Sequence, residues 1–402
     1  MSSASAAPIR VLTFTTLFPN AVEPNNGIFV EQRLRHLAAS GRVEARVVAP
    51  VPWFPSRAPI FGRYAGFARV PPRETRFGIP VEHPRYGLLP KIGLSTAPFL
   101  LARGAWKAVR QLVDSGFDFD VIDAHFYYPD GVAAAMIARR IGKPLFITAR
   151  GTDVNLYPRH AVARRLMLWA ERQASGSIAV AGALRDAMIA MGMRSDRIYV
   201  LRNGVDLSRF RPHAPAEARA HLGWHGKTAL SVGYLIERKG HHFAIEALRL
   251  LPDWRLAIVG SGEWEQRLRD LARDTGVADR VQFVGAVRQD SLPLYYSAAD
   301  LLVLASSREG MANVLLEALA CGTPAVATNA WGNPEVIRVP EAGELMQDRS
   351  AAELAAAVRR LEARSVDRAA TRRYAETLGW DATTAGQLEL FGAAIAAARR
   401  SA

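Results

Sequence analysis

The sequence predicts an α/β protein of two doubly wound, Rossmann-like domains facing a central cleft. Three observations carry that expectation. Strand-like and helix-like segments alternate along the whole chain, the pattern of parallel sheets with helices on both faces. The alternation restarts after "RNGVDLSRFRPHAPAEARAHLGWHGK", a segment rich in Gly, Pro and charge that ends at Lys227. The chain has 402 residues, long for one domain and comfortable for two of about 200.

Taken in order, the first strand is Ile9–Phe14. The N-terminus holds a single cation beside a short apolar run that breaks at Pro19, too short to span a bilayer and a poor signal peptide. Apolar, strand-length runs then follow at Glu44–Ala49, Val121–Ala124, Leu145–Thr148, Ser177–Ala181 and Ile198–Leu201. Helical stretches at Phe29–Ala39, Gly131–Ile141 and His160–Ala174 separate them. The second series runs Thr228–Val232, Arg255–Val259, Val281–Val284, Leu301–Ala305 and Pro324–Thr328, with a helix at Glu263–Thr275. The boundary falls within 203–226, giving a first domain over 1–202 and a second over 203–379. A last helix, about 380–402, is expected to pack back on the first domain. Ligands of such sheets bind beyond the carboxyl ends of the strands.

Composition narrows the function. Half of the chain is hydrophobic, so it is globular, and the one cysteine, Cys321, excludes an internal disulfide and suits a reducing compartment. No run of about 18 apolar residues occurs, so no transmembrane helix is expected. The net charge of +13 lies wholly in the first half: residues 1–205 hold 27 Lys and Arg against 14 Asp and Glu, and the remainder hold 24 of each. Such asymmetry suits an anionic partner, although an Arg-rich surface alone also produces it. The densest stretch, Arg57–Arg110, carries Arg57, Arg63, Arg69, Arg73, Arg76, Arg85, Lys91, Arg103, Lys107 and Arg110 against Glu74 and Glu82. Trp53, Phe54, Phe61, Tyr64, Phe67, Phe77 and Tyr86 are interleaved. Cations with aromatics suit a lipid headgroup layer or single-stranded nucleic acid. Without a nucleic-acid motif, lipid or an anionic acceptor is favoured.

Several motifs mislead. "GWHGKT" ends like a phosphate-binding loop, but His221 stands where the first glycine is required and the segment precedes a strand. The aspartates of "DFD" (Asp118–Asp120) enter a strand at its amino end, away from the expected site. No His/Cys cluster has metal spacing. "VGSGEW" is a glycine turn between strand and helix, a weak signal alone. "VGYLIERKGHHFAIEAL" is sharper: Gly233, then Arg238 and Lys239 at the mouth of a strand and before a helix, suit a diphosphate.

"SREGMANVLLEALACGTP" joins these pieces. A strand, then Glu309-x7-Glu317, then "ACGTPAVAT", together with "NGVD", "ERKG", "FVG" and "GNPEV" in the order and spacing that family shows, resembles the retaining family 4 glycosyltransferases of GT-B fold. "LFPN…PNNGIFVEQ", "DVIDAHFYYPDG" and "TARGTDVN" extend the resemblance over nearly the whole chain. It is nearest to the bacterial branch for surface-polysaccharide assembly, of teichuronic-acid and exopolysaccharide type.

That resemblance implies a retaining glycosyltransferase moving a sugar from a nucleotide-sugar donor to a lipid-linked or polysaccharide acceptor. No metal or other cofactor, and no nucleic acid, is expected. The enzyme would be cytoplasmic and peripheral to the inner membrane face, against an anionic surface. Glu309, His125 and Lys239 would act at the reacting sugar, His125 reaching it from the first domain. Glu317 would accept from the ribose, Lys239 and Arg238 would neutralise the diphosphate, and the N–H groups of Met311, Ala312 and Asn313 would hold sugar hydroxyls. Gly233 and Gly285 would let backbone approach the donor. Asn26, Gly27, Arg150 and Asp153 would lie on the acceptor side. From the residues alone, His125 also reads as a core histidine, Asp153 as a helix N-cap and Glu309 as a solvated loop residue.

The chain departs from the family in places. Tyr234 stands where Arg is frequent, and Arg238, where many members have Glu, is expected to supply that cation. Arg150 stands where His is common, and Trp331 where a second glycine is common. Two rivals remain: a nucleotide-sugar epimerase of the same fold, and a non-catalytic polysaccharide-assembly protein. The first needs no basic, aromatic acceptor face; the second needs no intact Glu309, Glu317, Lys239 and His125.

Overall fold

In the computed structural model, which describes residues 7–88 and 93–401, the chain divides into two compact units. One comprises Met1–Asn203 with Asp381–Ala402, the other Gly204–Trp380.

The first unit is built on an eight-stranded sheet. Its strands are β1 (Ile9–Phe14), β2 (Val43–Val48), β4 (Arg73–Arg76), β5 (Ile79–Glu82), β7 (Val121–His125), β8 (Leu145–Ala149), β9 (Gly176–Ala179) and β10 (Ile198–Val200), in the order β10-β9-β8-β7-β1-β2-β5-β4. A separate two-stranded pair joins β3 (Val51–Pro52) to β6 (Arg85–Tyr86). All neighbours pair parallel except β4, which runs antiparallel to β5. This edge strand departs from the parallel pairing of its neighbours. Phe77 and Gly78, both at positive φ (48° and 79°), make the two-residue turn that reverses the chain.

The strands β7 and β8 are buried at every position, which is why they read as continuous apolar runs. Val11, Leu34, Val47, Phe146 and Ile178 share one core with Leu388, Phe391 and Ile395 of the last helix, Asp381–Ser401. Phe391 stacks 5.3 Å from Phe146. The 22-residue helix Gly93–Asp114, which the basic stretch did not announce, also belongs to this unit.

The second unit carries six parallel strands: β11 (Lys227–Val232), β12 (Trp254–Val259), β13 (Val281–Gly285), β14 (Leu301–Leu304), β15 (Ala325–Thr328) and β16 (Gly343–Met346), ordered β13-β12-β11-β14-β15-β16. The order reverses between β11 and β14, so the crevice of this sheet opens beyond their carboxyl ends. Its core joins Leu256, Ile258 and Val303 to Leu354 and Val358 of the helix Ala351–Ala363.

The basic, aromatic stretch divides on folding. Phe67 and Tyr86 are buried, so these two rings are not offered to a partner, and Arg85 donates one amine to the carbonyl of Val70. Trp53, Ile60, Phe61 and Tyr64 stand exposed, at 60, 86, 47 and 57%. Arg57, Arg63 and Arg69 are exposed among them. Phe54 packs 5.3 Å from Phe61 and 5.5 Å from Tyr64. Lys91 lies outside the described residues. Among the described residues no helix is long and apolar enough to cross a membrane.

Candidate active site

The candidate residues of the second unit collect at the carboxyl ends of β11 and β14. β11 runs into Gly233, and a short turn, Glu237–Lys239, closes on Gly240 before the helix His241–Ala247. Gly240 has φ 74°, and a Cβ there would meet the carbonyl oxygen of Ala305 at 2.0 Å. Glycine is therefore what lets this turn lie against the end of β14. Arg349 fastens it: its guanidinium donates to the carbonyl of Ala305 at 2.8 Å and to the Glu237 carboxylate at 3.3 Å.

That contact brings the charges together. The Lys239 ammonium donates to Oε1 of Glu309 at 2.6 Å, and Arg238 stands 3.6 Å from Oε2. Arg238 also donates to the carbonyl of Arg308 at 2.8 Å. Burial works against charge on Glu309, but Lys239 and Arg238 outweigh it and hold the carboxyl below its usual range. Tyr234, in place of the frequent Arg, is 61% exposed, and its carbonyl accepts from His241. His241 also bonds Ser231 at 2.8 Å, and burial lowers its pKa to about 4, so it is a neutral prop for the Gly233–Tyr234 turn.

Glu309 lies in the loop before the helix Asn313–Ala320. Met311 and Ala312 lead into that helix, so the first-turn N–H groups open on the loop of Glu309. Leu315, Leu316 and Leu319 are essentially fully buried, each stabilising the helix's seat by about 2 kcal/mol. They carry Glu317 into the interior, where Tyr296 donates to its Oε2 at 2.8 Å. Burial raises the Glu317 carboxyl to about 7, with Tyr296 and Arg209 opposing. Gly285 ends β13 and its carbonyl accepts from Gly260 at 2.8 Å. Trp331 adopts φ 53°, a left-handed backbone that a glycine would occupy without strain.

In the first unit, His125 ends β7 and Arg150 follows β8. The imidazole is buried, with Nε2 3.1 Å from Asp123 and Nδ1 2.7 Å from Arg150. Arginine can only donate, so Nδ1 accepts and Nε2 carries the proton. Burial depresses His125 to about 4 against the pull of Asp123. Both ring nitrogens are thus occupied within the unit. The network continues from Asp123 to Gln387 at 3.2 Å, and from Gln387 to Arg33 at 2.9 Å. Arg150 also donates to Asn203 at 2.9 Å, and burial lowers it to about 9.

Asp153 is neither a surface acceptor group nor an N-cap. Its two oxygens accept backbone N–H groups of Tyr127 at 2.7 Å, Gly151 at 2.7 Å and Arg150 at 3.0 Å, deep in the interior. Those bonds consume its lone pairs, so it shapes the loop after β8 rather than offering itself to a ligand. Asn26 spends its amide on the carbonyls of Thr16 and Phe18 at 3.2 and 3.4 Å. Gly27, at φ 65°, would place a Cβ 2.1 Å from the Leu17 carbonyl oxygen, so its bare backbone lets the loop after β1 close. Asp130 holds the same loop through Thr16, and burial raises it to about 7. The aspartates of the rejected "DFD" motif are surface partners: Asp118 of Lys143 at 2.7 Å, Asp120 of the Arg10 N–H at 2.9 Å.

Tyr296, Arg349, Asp123, Asp130 and Gln387 carried no signal in the sequence. Each acts through a partner 21 or more positions away or within a buried network, and no fixed spacing marks such pairs. Asp123 alone sits two residues before a predicted site residue, where alternate strand positions share a face.

Comparison with known proteins agrees with this architecture. The model described as Glycosyltransferase Family 4 matches residues 28–209, and that described as Glycosyl transferases group 1 matches 217–378. A Bacillus subtilis protein, provisionally named teichuronic acid biosynthesis glycosyltransferase TuaC, is 30% identical over 363 residues, covering 88% of this chain and 89% of its own. Among solved structures, sucrose-phosphate synthase from Thermosynechococcus elongatus superposes with a TM-score of 0.80 at 21% identity, over 97% of this chain and 100% of that one. HepE of Anabaena in complex with UDP-glucose gives 0.72 at 20% identity, over 96% and 99%. With its two halves matched in order and a relative aligned almost end to end, the chain belongs to the family 4 glycosyltransferases of GT-B fold.

Proposed function

We propose that this glycosyltransferase moves a sugar from a nucleoside-diphosphate donor, with retention, to a lipid-linked or polysaccharide acceptor at an anionic membrane surface. The observation that carries the donor reading is the pair of cations, Lys239 and Arg238, on the Glu309 carboxylate, with Glu317 on the adjoining helix. Two cations beside a helix N-terminus suit a leaving diphosphate, whose charge grows as the glycosidic bond breaks. The same two cations that pair with Glu309 would face a bound diphosphate, with the carboxylate beside the donor sugar. Arg238 supplies the cation that Tyr234 does not.

On this reading the second unit binds the donor and the basic first unit meets the acceptor. The acceptor hydroxyl attacks from the face the diphosphate leaves, and the leaving phosphate oxygen takes its proton. Glu309 positions the sugar rather than attacking it. His125, neutral and fixed in one tautomer, serves the sugar by position and not by proton transfer. The HepE complex with UDP-glucose supports a nucleotide sugar as donor, and the relative named for teichuronic acid biosynthesis supports a surface-polymer acceptor.

The test is calorimetry with UDP-, GDP- and ADP-sugars followed by proton NMR of the product. One nucleotide sugar should bind and Glu317→Ala should weaken it at least tenfold. The product should keep the donor's anomeric configuration. Unchanged affinity in Glu317→Ala removes the ribose assignment, and an inverted product removes retention.

A further inference from the structure

We infer that Tyr296 is the positioning residue of the donor site: its hydroxyl fixes the Glu317 carboxylate so that one oxygen is left for the ribose diol. This rests on the reading of Glu317 as the ribose acceptor and adds what holds it.

A carboxylate on a buried, apolar helix turn has no solvent to orient it. Tyr296 donates to Oε2 at 2.8 Å from the neighbouring helix Leu292–Ala298. An O–H can give one proton to one oxygen, so the bond fixes the plane of the carboxylate and leaves Oε1 for a ligand. The phenol is itself immobilised. It is fully buried and meets Phe210 edge-on at 6.2 Å, and its backbone carbonyl accepts from Thr323 at 2.6 Å. Arg368 grips that assembly, donating to Thr323 at 2.7 Å and to the carbonyls of Ser297 and Ala299 at 2.9 and 2.7 Å. A continuous chain of bonds therefore runs from Arg368 through Thr323 and Tyr296 to Glu317, within one unit.

The bond has a second consequence. Ribose hydroxyls donate, so they bind the charged carboxylate, and whatever favours that form favours the donor. The charged and titratable groups around Glu317 are few. Tyr296 donates from its helix, Cys321 lies at the end of Glu317's own helix, and Arg209 acts from the segment before β11. Arg372, on the helix Arg368–Glu376, gives one amine to the carbonyls of Ala320 and Phe210. No cation bonds Glu317 directly among the described residues. Among the described residues Tyr296 is the side chain whose hydrogen bond holds it ready.

The experiment titrates UDP, GDP and ADP into the full chain by calorimetry between pH 5.5 and 8.5, with the nucleotide that binds carried forward. Affinity should rise with pH through about 7, where Glu317 ionises. Tyr296→Phe keeps the ring and removes only the hydroxyl. It should weaken binding roughly tenfold at neutral pH and move the midpoint of the pH profile upward, because the bond that favoured the charge is gone. Glu317→Gln should leave only the pH dependence of the nucleotide's own terminal phosphate, which ionises at about 6, and, combined with Tyr296→Phe, leave no further midpoint to move. Unchanged affinity and midpoint in Tyr296→Phe overturn the proposal, as does a loss of affinity with no shift in midpoint, which would mark a packing role. If Glu317→Ala binds as wild type does, the ribose reading itself falls. If no nucleotide binds the wild type, both fall.

Discussion

At the residue scale the second unit turns on one ion pair. Glu309 is buried, and its charge is held by Lys239 at 2.6 Å with Arg238 behind at 3.6 Å. Removing a partner from such a pair costs more than the pair contributes, because the remaining charge is stranded. Lys239→Met should therefore lower unfolding stability by about 1–3 kcal/mol, read by urea denaturation. It should also reduce kcat/KM about a hundredfold through loss of charge stabilisation. A fully stable but inactive variant would assign Lys239 to the ligand alone. The pH dependence has a definite sign. The folded pKa of Glu309 lies below its ordinary 4.5, so its stabilisation is present above 4.5 and lost as pH falls through the folded value. Asp130 behaves oppositely. Its carboxyl is raised from 3.8 to about 7, so its contribution is complete below 3.8 and disappears as pH rises through 7. Asp130→Asn keeps an acceptor for Thr16 and removes the buried charge. Thermal denaturation at pH 8 should find it at least as stable as wild type, and a collapse there would mean the charge itself is needed.

At the element scale, placement depends on close backbone approach. The turn Glu237–Lys239 delivers its cations to Glu309 only because Gly240 lets it lie on the end of β14. Gly240→Ala adds both a strained φ and a contact at 2.0 Å with a carbonyl oxygen. Gly276 offers a matched control, with φ 69° and open space around its Cβ. Gly276→Ala should cost about 1 kcal/mol from backbone strain alone, and Gly240→Ala several-fold more, with weakened nucleotide binding. Equal melting shifts for the two variants would deny the close approach its role. The same contrast explains what the sequence could show. Central parallel strands are buried on both faces, so β1, β7, β8, β12 and β15 appear as apolar runs and were placed within a residue or two. The Glu309-x7-Glu317 block was visible because its two carboxylates lie close in sequence, one in a loop and one in the helix that follows, in a pattern that resembles the family. The edge hairpin of β4 and β5 was not, since half-exposed residues such as Arg73–Arg76 follow no apolar period. Nor were the partners Tyr296 of Glu317 and Gln387 of Asp123, which only tertiary packing brings together.

At the scale of the whole molecule, the charge is divided as unequally as the chemistry. The entire excess of +13 belongs to residues 1–205, and part of it lies in the stretch that carries exposed apolar residues of the first unit. Trp53, Ile60, Phe61 and Tyr64 cannot be explained as core, and burying several of them in a headgroup layer is favourable by about 25 cal/mol per Å². Arg57, Arg63 and Arg69 beside them would each gain about 1 kcal/mol at an anionic surface, a gain that salt screens. The two contributions differ in how they fail. Flotation with phosphatidylglycerol vesicles should retain the protein at low salt and release it as salt rises, whereas phosphatidylcholine vesicles should hold it poorly throughout. Replacing Arg57, Arg63 and Arg69 together by Gln should weaken anionic binding about a hundredfold and flatten its salt dependence. Replacing Ile60 and Phe61 by Ser should weaken binding while leaving the salt dependence in place, because it removes buried area and no charge. Equal flotation with both lipids would remove the role of its charge, and flotation with neither would reduce this patch to an ordinary Arg-rich surface. The acceptor would then have to be recruited from solution.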